Sequence, residues 1–281
     1  MITWIASYPK SGNTWVRSLL STYLYSKDGV FNFNLLRKID QFPNKKSFEF
    51  FLNDLTDIKQ VSQYWIAAQD KINLKTESTF LKTHSALCTF ENNSFTNRQN
   101  TKAVIYVVRD PRNIITSLAN HFSTSIEESY QFITDRNKLL VHEEGVKSVF
   151  GIQSVLGSWA DHYNSWNNIK FAPILVIKYE NLLKDTKNSL VEILEFIRKF
   201  MDIKIDNKKI LNTVNSCNFD KLAEMEKNEG FFEAANSKKK EGKVNFFHLG
   251  KKNDWRILLN KKIENKITTS FKKEMSDLNY V

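Results

Sequence analysis

Apolar residues gather along this chain in short runs, separated by longer stretches in which they recur every three or four positions. Four runs read as buried strands: ITWIAS from Ile2, TFLKT from Thr79, AVIYVV from Ala103 and PILVIKY from Pro173. The wider spacing marks helices: Val16, Leu19, Leu20, Tyr23 and Leu24 form an apolar stripe over residues 14–25. A second helix is predicted to begin at Pro111, since proline suits the first helical turn. WADHYNSWNNI from Trp159, NSLVEILEFIRKF from Asn188 and residues 255–275 predict three more. Strands rich in Val and Ile that alternate with helices predict an α/β fold: a central parallel β-sheet flanked by helices on both faces. Ligands of such sheets bind at the carboxyl ends of the strands. The polar segment ENNSFTNRQN from Glu91 and the charged segment SKKKEGK over 237–243 predict exposed loops. With 281 residues and no internal repeat, a single domain over 1–281 is expected.

Between the first strand and the first helix lies YPKSGNTW, Tyr8 to Trp15. A tight loop at this place turns backbone N–H groups toward one point at the positive end of a helix dipole, which suits a phosphate-like anion. The order differs from a Walker loop, whose lysine follows the last glycine. Here Lys10 comes first, and Ser11, Gly12, Asn13 and Thr14 follow to supply the cradle.

The formal net charge of +10 favours anionic partners, and a nucleotide, an acidic glycan, an anionic lipid surface or nucleic acid would each fit. A lysine-rich composition accounts for the same charge without any partner. Cys88 and Cys217 show no CxxC spacing, so neither a disulfide framework nor a metal site is expected, and a reducing compartment fits. No apolar run approaches the roughly 18 residues of a membrane span. A strand starting at Ile2 leaves no room for a secretory signal, so the cytoplasm is the expected location.

YPKSGNTW resembles the loop with which soluble sulfotransferases bind the 5′-phosphosulfate of 3′-phosphoadenosine 5′-phosphosulfate (PAPS), with Asn13 where the family usually has threonine. The resemblance implies a P-loop-kinase-like sulfotransferase fold. It implies that Lys10 meets the bridging and sulfonate oxygens, that Ser11, Gly12, Asn13, Thr14 and Trp15 hold the phosphate, and that Trp15 also stacks on adenine. Other family landmarks follow in order. VIYVVRDPRNIITSLANHF resembles the 3′-phosphate segment, whose arginine and serine are Arg109 and Ser117 here. A guanidinium fork suits phosphate oxygens, and the serine adds a hydroxyl. FLKTHSAL resembles the catalytic segment and offers His84 as general base, with Lys82 two residues before it. His121, His142 and His162 are read as structural. IKYENLL and CNFDKLAEM resemble the adenine-contacting segments through Tyr179 and Phe219.

The last landmark departs from the family. Members commonly carry Arg-Lys-Gly and, three residues on, Gly-Asp-Trp-Lys, whereas this chain reads FFHLGKKNDWRILL. Gly250, Asp254 and Trp255 match; His248, Leu249 and Asn253 do not. One wall of the 3′-phosphate site is thereby altered, with His248, Lys251 or Lys252 left to compensate. The implied reaction is transfer of a sulfuryl group from PAPS to a hydroxyl, or an amine, of a small-molecule, lipid or glycan acceptor. No metal, no nucleic-acid partner and no membrane span are expected. Two other classes stay open: a non-catalytic nucleotide- or acidic-glycan-binding protein, and a P-loop kinase. Residues 31–75 and 122–151 match no family segment, and in this family those regions shape the acceptor pocket.

Overall fold

β1 (Ile2–Ser7) buries all six of its side chains, the condition of a strand covered on both faces of its sheet. A computed structural model of the chain describes residues 1–74, 78–140, 152–235 and 243–281. Along it follow β2 (Asp40–Gln41), β3 (Thr79–Thr83), β4 (Thr89–Phe90), β5 (Asn93–Ser94), β6 (Thr101–Val108), β7 (Leu139–Leu140), β8 (Ser154–Val155) and β9 (Ile174–Lys178). The main sheet has the order β2-β3-β1-β6-β9. β1 runs parallel to both β3 and β6, with Ala6 level with Thr83 and Tyr106, and β2 runs parallel to β3. All four strands read from the sequence belong to this sheet.

Three elements differ from expectation. β2 is only two polar residues long, too short to leave an apolar run, and is recruited by pairing with Leu81 and Lys82. The segment from Glu91 is not all loop. Glu91 and Asn92 are both left-handed (φ 47° and 65°), the geometry of a two-residue hairpin turn, so β4 and β5 pair across them. The helix expected over 255–275 is three: Trp255–Leu258, Lys261–Ser270 and Lys272–Asp277. Leu259 is extended, and Asn260 starts the second of these by accepting from the Ile263 N–H. Most of the 237–243 segment and His142 lie outside the described residues.

The chain falls into two compact units. The first comprises 1–8, 39–108 and 135–177 and holds the sheet. Its core is aromatic: Trp4 packs on Phe42 and Phe95 at 5.7 and 5.5 Å between ring centroids, and Trp65 and Trp166 close on Phe95. The helix Trp159–Asn167 lies against β1 and β6. The second unit comprises 9–38, 109–134 and 178–281. In it α1 (Asn13–Tyr25) buries Val16, Leu19 and Leu20, and the helix Thr186–Arg198 buries Leu190, Ile193, Leu194 and Ile197. Among the described residues no helix is long and apolar enough to cross a membrane.

Candidate active site

In the second unit the loop before α1 is bent by two left-handed residues, Lys10 (φ 66°) and Gly12 (φ 103°). Any other residue at Gly12 would be strained. Besides its dihedral, a Cβ there would lie 2.6 Å from Cδ2 of Tyr179. No side chain caps α1, and no acidic residue stands in its first turn, so its leading N–H groups keep their affinity for an anion. Ser11 Oγ and Arg109 Nε are buried donors with no hydrogen-bond partner among the described residues, the condition expected of groups shaped for a ligand.

Arg109 follows β6 directly, and its Nη1 donates to the carbonyl of Lys10 at 3.1 Å. Its guanidinium lies over the Tyr179 ring at 4.1 Å, and that ring also meets Trp15 edge-on at 5.8 Å. Tyr179 thus links the loop before α1 to the arginine. Trp15 is fixed further by donating Nε1–H to the Cys217 carbonyl at 2.9 Å, two residues before Phe219. Phe219 in turn packs on Gly250 (φ 53°), where a Cβ would come 2.6 Å from its ring. Lys10 Nζ sits 4.0 Å above the Phe246 ring. The positions read as a donor site therefore gather in one unit. Ser117 is half-buried on the helix Pro111–Phe122 and makes no side-chain hydrogen bond among the described residues.

The departures at 248–253 acquire physical content here. His248 is pushed below its usual pKa by desolvation and, second, by the charge of Lys10, so at neutral pH it adds no cation beside Lys10. Lys251 and Lys252 are exposed on a single 3₁₀ turn. Asn253 is a fastener: Nδ2 donates to the Asn113 carbonyl at 2.9 Å, and Oδ1 accepts from Thr116. Trp255 is held by its N–H on Asn113 Oδ1 and by the Arg112 guanidinium 3.9 Å over its ring.

The first unit holds Lys82, buried in β3, and His84 just beyond it. His84 Nδ1 lies 2.8 Å from the Ser7 carbonyl. A carbonyl only accepts, so Nδ1 carries the proton and Nε2 the lone pair. That is the tautomer of a base. The sequence reading of His162 missed its link to this residue. Fully buried, His162 lies with Nε2 3.1 Å from the His84 carbonyl and Nδ1 2.9 Å from the Tyr106 hydroxyl. Nε2–H must donate to the carbonyl, and Tyr106, its own pKa raised by burial, donates to Nδ1. The one available signal was the apolar company of His162 in its helix.

Burial lowers the pKa of His162 to about 4, with the His84 hydrogen bond opposing. An unfolded chain binds this proton near pH 6.5 and the folded one does not, so stability is lost as pH falls. About 2 kcal/mol should disappear between pH 6.5 and 5. Urea unfolding of His162→Gln, which keeps a donor but does not titrate, should lack that decline; equal declines in both proteins would refute it.

The sulfotransferase-domain family model matches residues 2–279. The chain belongs to the sulfotransferase family. It is 22% identical over 194 residues to a 3-alpha-hydroxysteroid sulfotransferase of Cavia porcellus, covering 69% of this chain and 57% of that protein. It is 24% identical over 228 residues to the luciferin sulfotransferase of Photinus pyralis, covering 78% and 55%. The chain thus spans little more than half the length of these curated relatives. Among solved structures, a mouse sulfotransferase complexed with PAP superposes with a TM-score of 0.57 at 18% identity, covering 99% of this chain and 85% of the other. Retinol dehydratase in complex with androsterone and inactive cofactor PAP gives 0.62 at 17%, covering 98% and 81%. These likenesses establish the sulfotransferase fold.

Proposed function

We propose that the chain is a PAPS-dependent sulfotransferase, acting as one catalytic domain over 1–281. The observation that carries this reading is the loop before α1: an uncapped helix start with Ser11 Oγ and Arg109 Nε buried beside it as partnerless donors. Such a donor set fits the phosphates of a nucleotide. Lys10 and Ser11 to Trp15 hold the 5′ side, Arg109 and Ser117 the 3′-phosphate, and Trp15, Tyr179 and Phe219 the adenine. His248 and Gly250 complete that wall, His248 as a neutral neighbour. The acceptor hydroxyl gives its proton to His84 Nε2 while its oxygen forms the new O–S bond. The bond from sulfur to the bridging oxygen breaks, and adenosine 3′,5′-bisphosphate (PAP) leaves. Lys10 and Lys82 meet the charge that grows on the bridging oxygen.

No step calls for a metal. Among the described residues no group of three or more His, Cys, Asp or Glu is placed to hold one. The relatives named for steroid and luciferin substrates favour a small-molecule acceptor, a small lipid such as a steroid included, over a glycan. Two free cysteines fit a cytoplasmic location. A kinase is disfavoured because the carboxylate nearest Thr14, that of Glu233, is already paired with Arg17 and so not offered to magnesium.

Calorimetric titration with PAP, beside ADP and ATP with magnesium, tests the reading without an acceptor. Tight, magnesium-independent binding of PAP alone is expected. A preference for ATP, or no binding of PAP, would overturn it in favour of a kinase or another binding protein.

A further inference from the structure

The phosphate loop has an attachment that the proposed reaction does not use. Arg17, one turn into α1, is buried, as is Glu233, and Nη1 meets Oε1 at 2.5 Å. The other carboxylate oxygen accepts from Thr14 Oγ1 at 2.9 Å, and Arg17 Nη2 donates to the Leu36 carbonyl at 3.1 Å. One carboxylate thus grips Thr14 in the first turn of α1 and Arg17 at the start of the second. It is carried by a segment that is itself anchored: Phe231 is buried against Phe33, Phe246 and Phe247, and its carbonyl accepts from Lys243 Nζ at 3.2 Å.

A carboxylate beside an anion site would ordinarily repel the anion. Here Arg17 neutralises it at contact distance, and burial keeps the pair from water. The hydroxyl of Thr14 has a single proton, and Glu233 takes it. The Thr14 side chain is therefore locked in one rotamer, with its oxygen's lone pairs and not its proton toward the remaining space. What it offers the cosubstrate is its backbone N–H, at the leading end of α1, in a fixed direction.

We infer that Glu233 is a positioning residue for the cosubstrate: through Thr14 it fixes the first turn of α1 as a phosphate-binding surface, and Arg17 is the counter-charge that lets a carboxylate do so. This inference rests on the PAPS reading above. It differs from the sequence expectation for Thr14, whose hydroxyl serves the protein and not the phosphate.

A double-mutant cycle read by calorimetry with PAP tests it. Glu233→Ala should weaken PAP binding about tenfold, while in a Thr14→Val background the same change should cost less than about threefold. If burying Arg17 alone unfolds Glu233→Ala, the charge-free pair Arg17→Met with Glu233→Ala is compared across the same two backgrounds, with the same expectation. Equal losses in both backgrounds would show that Glu233 only supports the fold, and unchanged affinity in Glu233→Ala would show that it does nothing for the site. Wild-type protein that fails to bind PAP would refute the cosubstrate and this inference with it; wild-type binding without coupling would refute the inference alone.

Discussion

His84→Ala lowers turnover by on the order of 10²-fold or more at saturating PAPS, while affinity for PAP changes by less than about threefold. The size is that of a general base whose removal leaves the acceptor proton to water. The asymmetry follows from placement: His84 is held by the carbonyl of Ser7 and, at its own carbonyl, by His162, and none of these groups belongs to the proposed phosphate site. Steady-state rates with any acceptor that turns over, set beside calorimetry with PAP, decide it. Turnover equal to wild type would remove His84 from the mechanism.

Lys10→Ala should lower turnover about 10² to 10³-fold, because the charge that Lys10 meets grows as the bridging bond breaks. The substitution is clean for the backbone. Lysine and alanine bear the same left-handed penalty at φ 66°, and the Arg109 bond to the Lys10 carbonyl needs no side chain. The ammonium over Phe246, and its pressure on the His248 pKa, should be lost. Weaker donor binding with normal turnover at saturation would mean that Lys10 holds the ground state and nothing more.

Much of this molecule was legible in its sequence because it rests on local order. The four strand runs have the period of buried strands, and the loop before α1 sits where an α/β fold places ligands. The proline at the start of the helix Pro111–Phe122 and the apolar stripe of α1 are likewise local signals. What escaped is non-local or too short to carry a period. β2 exists only through its partner, and the β4–β5 hairpin hides in polar residues because its signal is two left-handed dihedrals rather than hydrophobicity. Glu233 meets Arg17 and Thr14 across most of the chain, with no spacing to announce it. His162 looked like core, and it is core; its second task, holding the backbone of His84, depends on the register of β1, β3 and β6 and is written in no single segment.

The contact between Phe219 and Gly250 has a consequence for inheritance. A left-handed residue at φ 53° is open to asparagine as well as glycine, so the backbone alone does not demand glycine at 250. The ring of Phe219, filling the space where a Cβ would stand, does. A larger residue at 250 is therefore conditional on 219, whose ring must shift or be replaced by a smaller side chain for a Cβ to fit. Phe219, proposed for the adenine side, and Gly250 of the HLG segment are in this sense coupled positions.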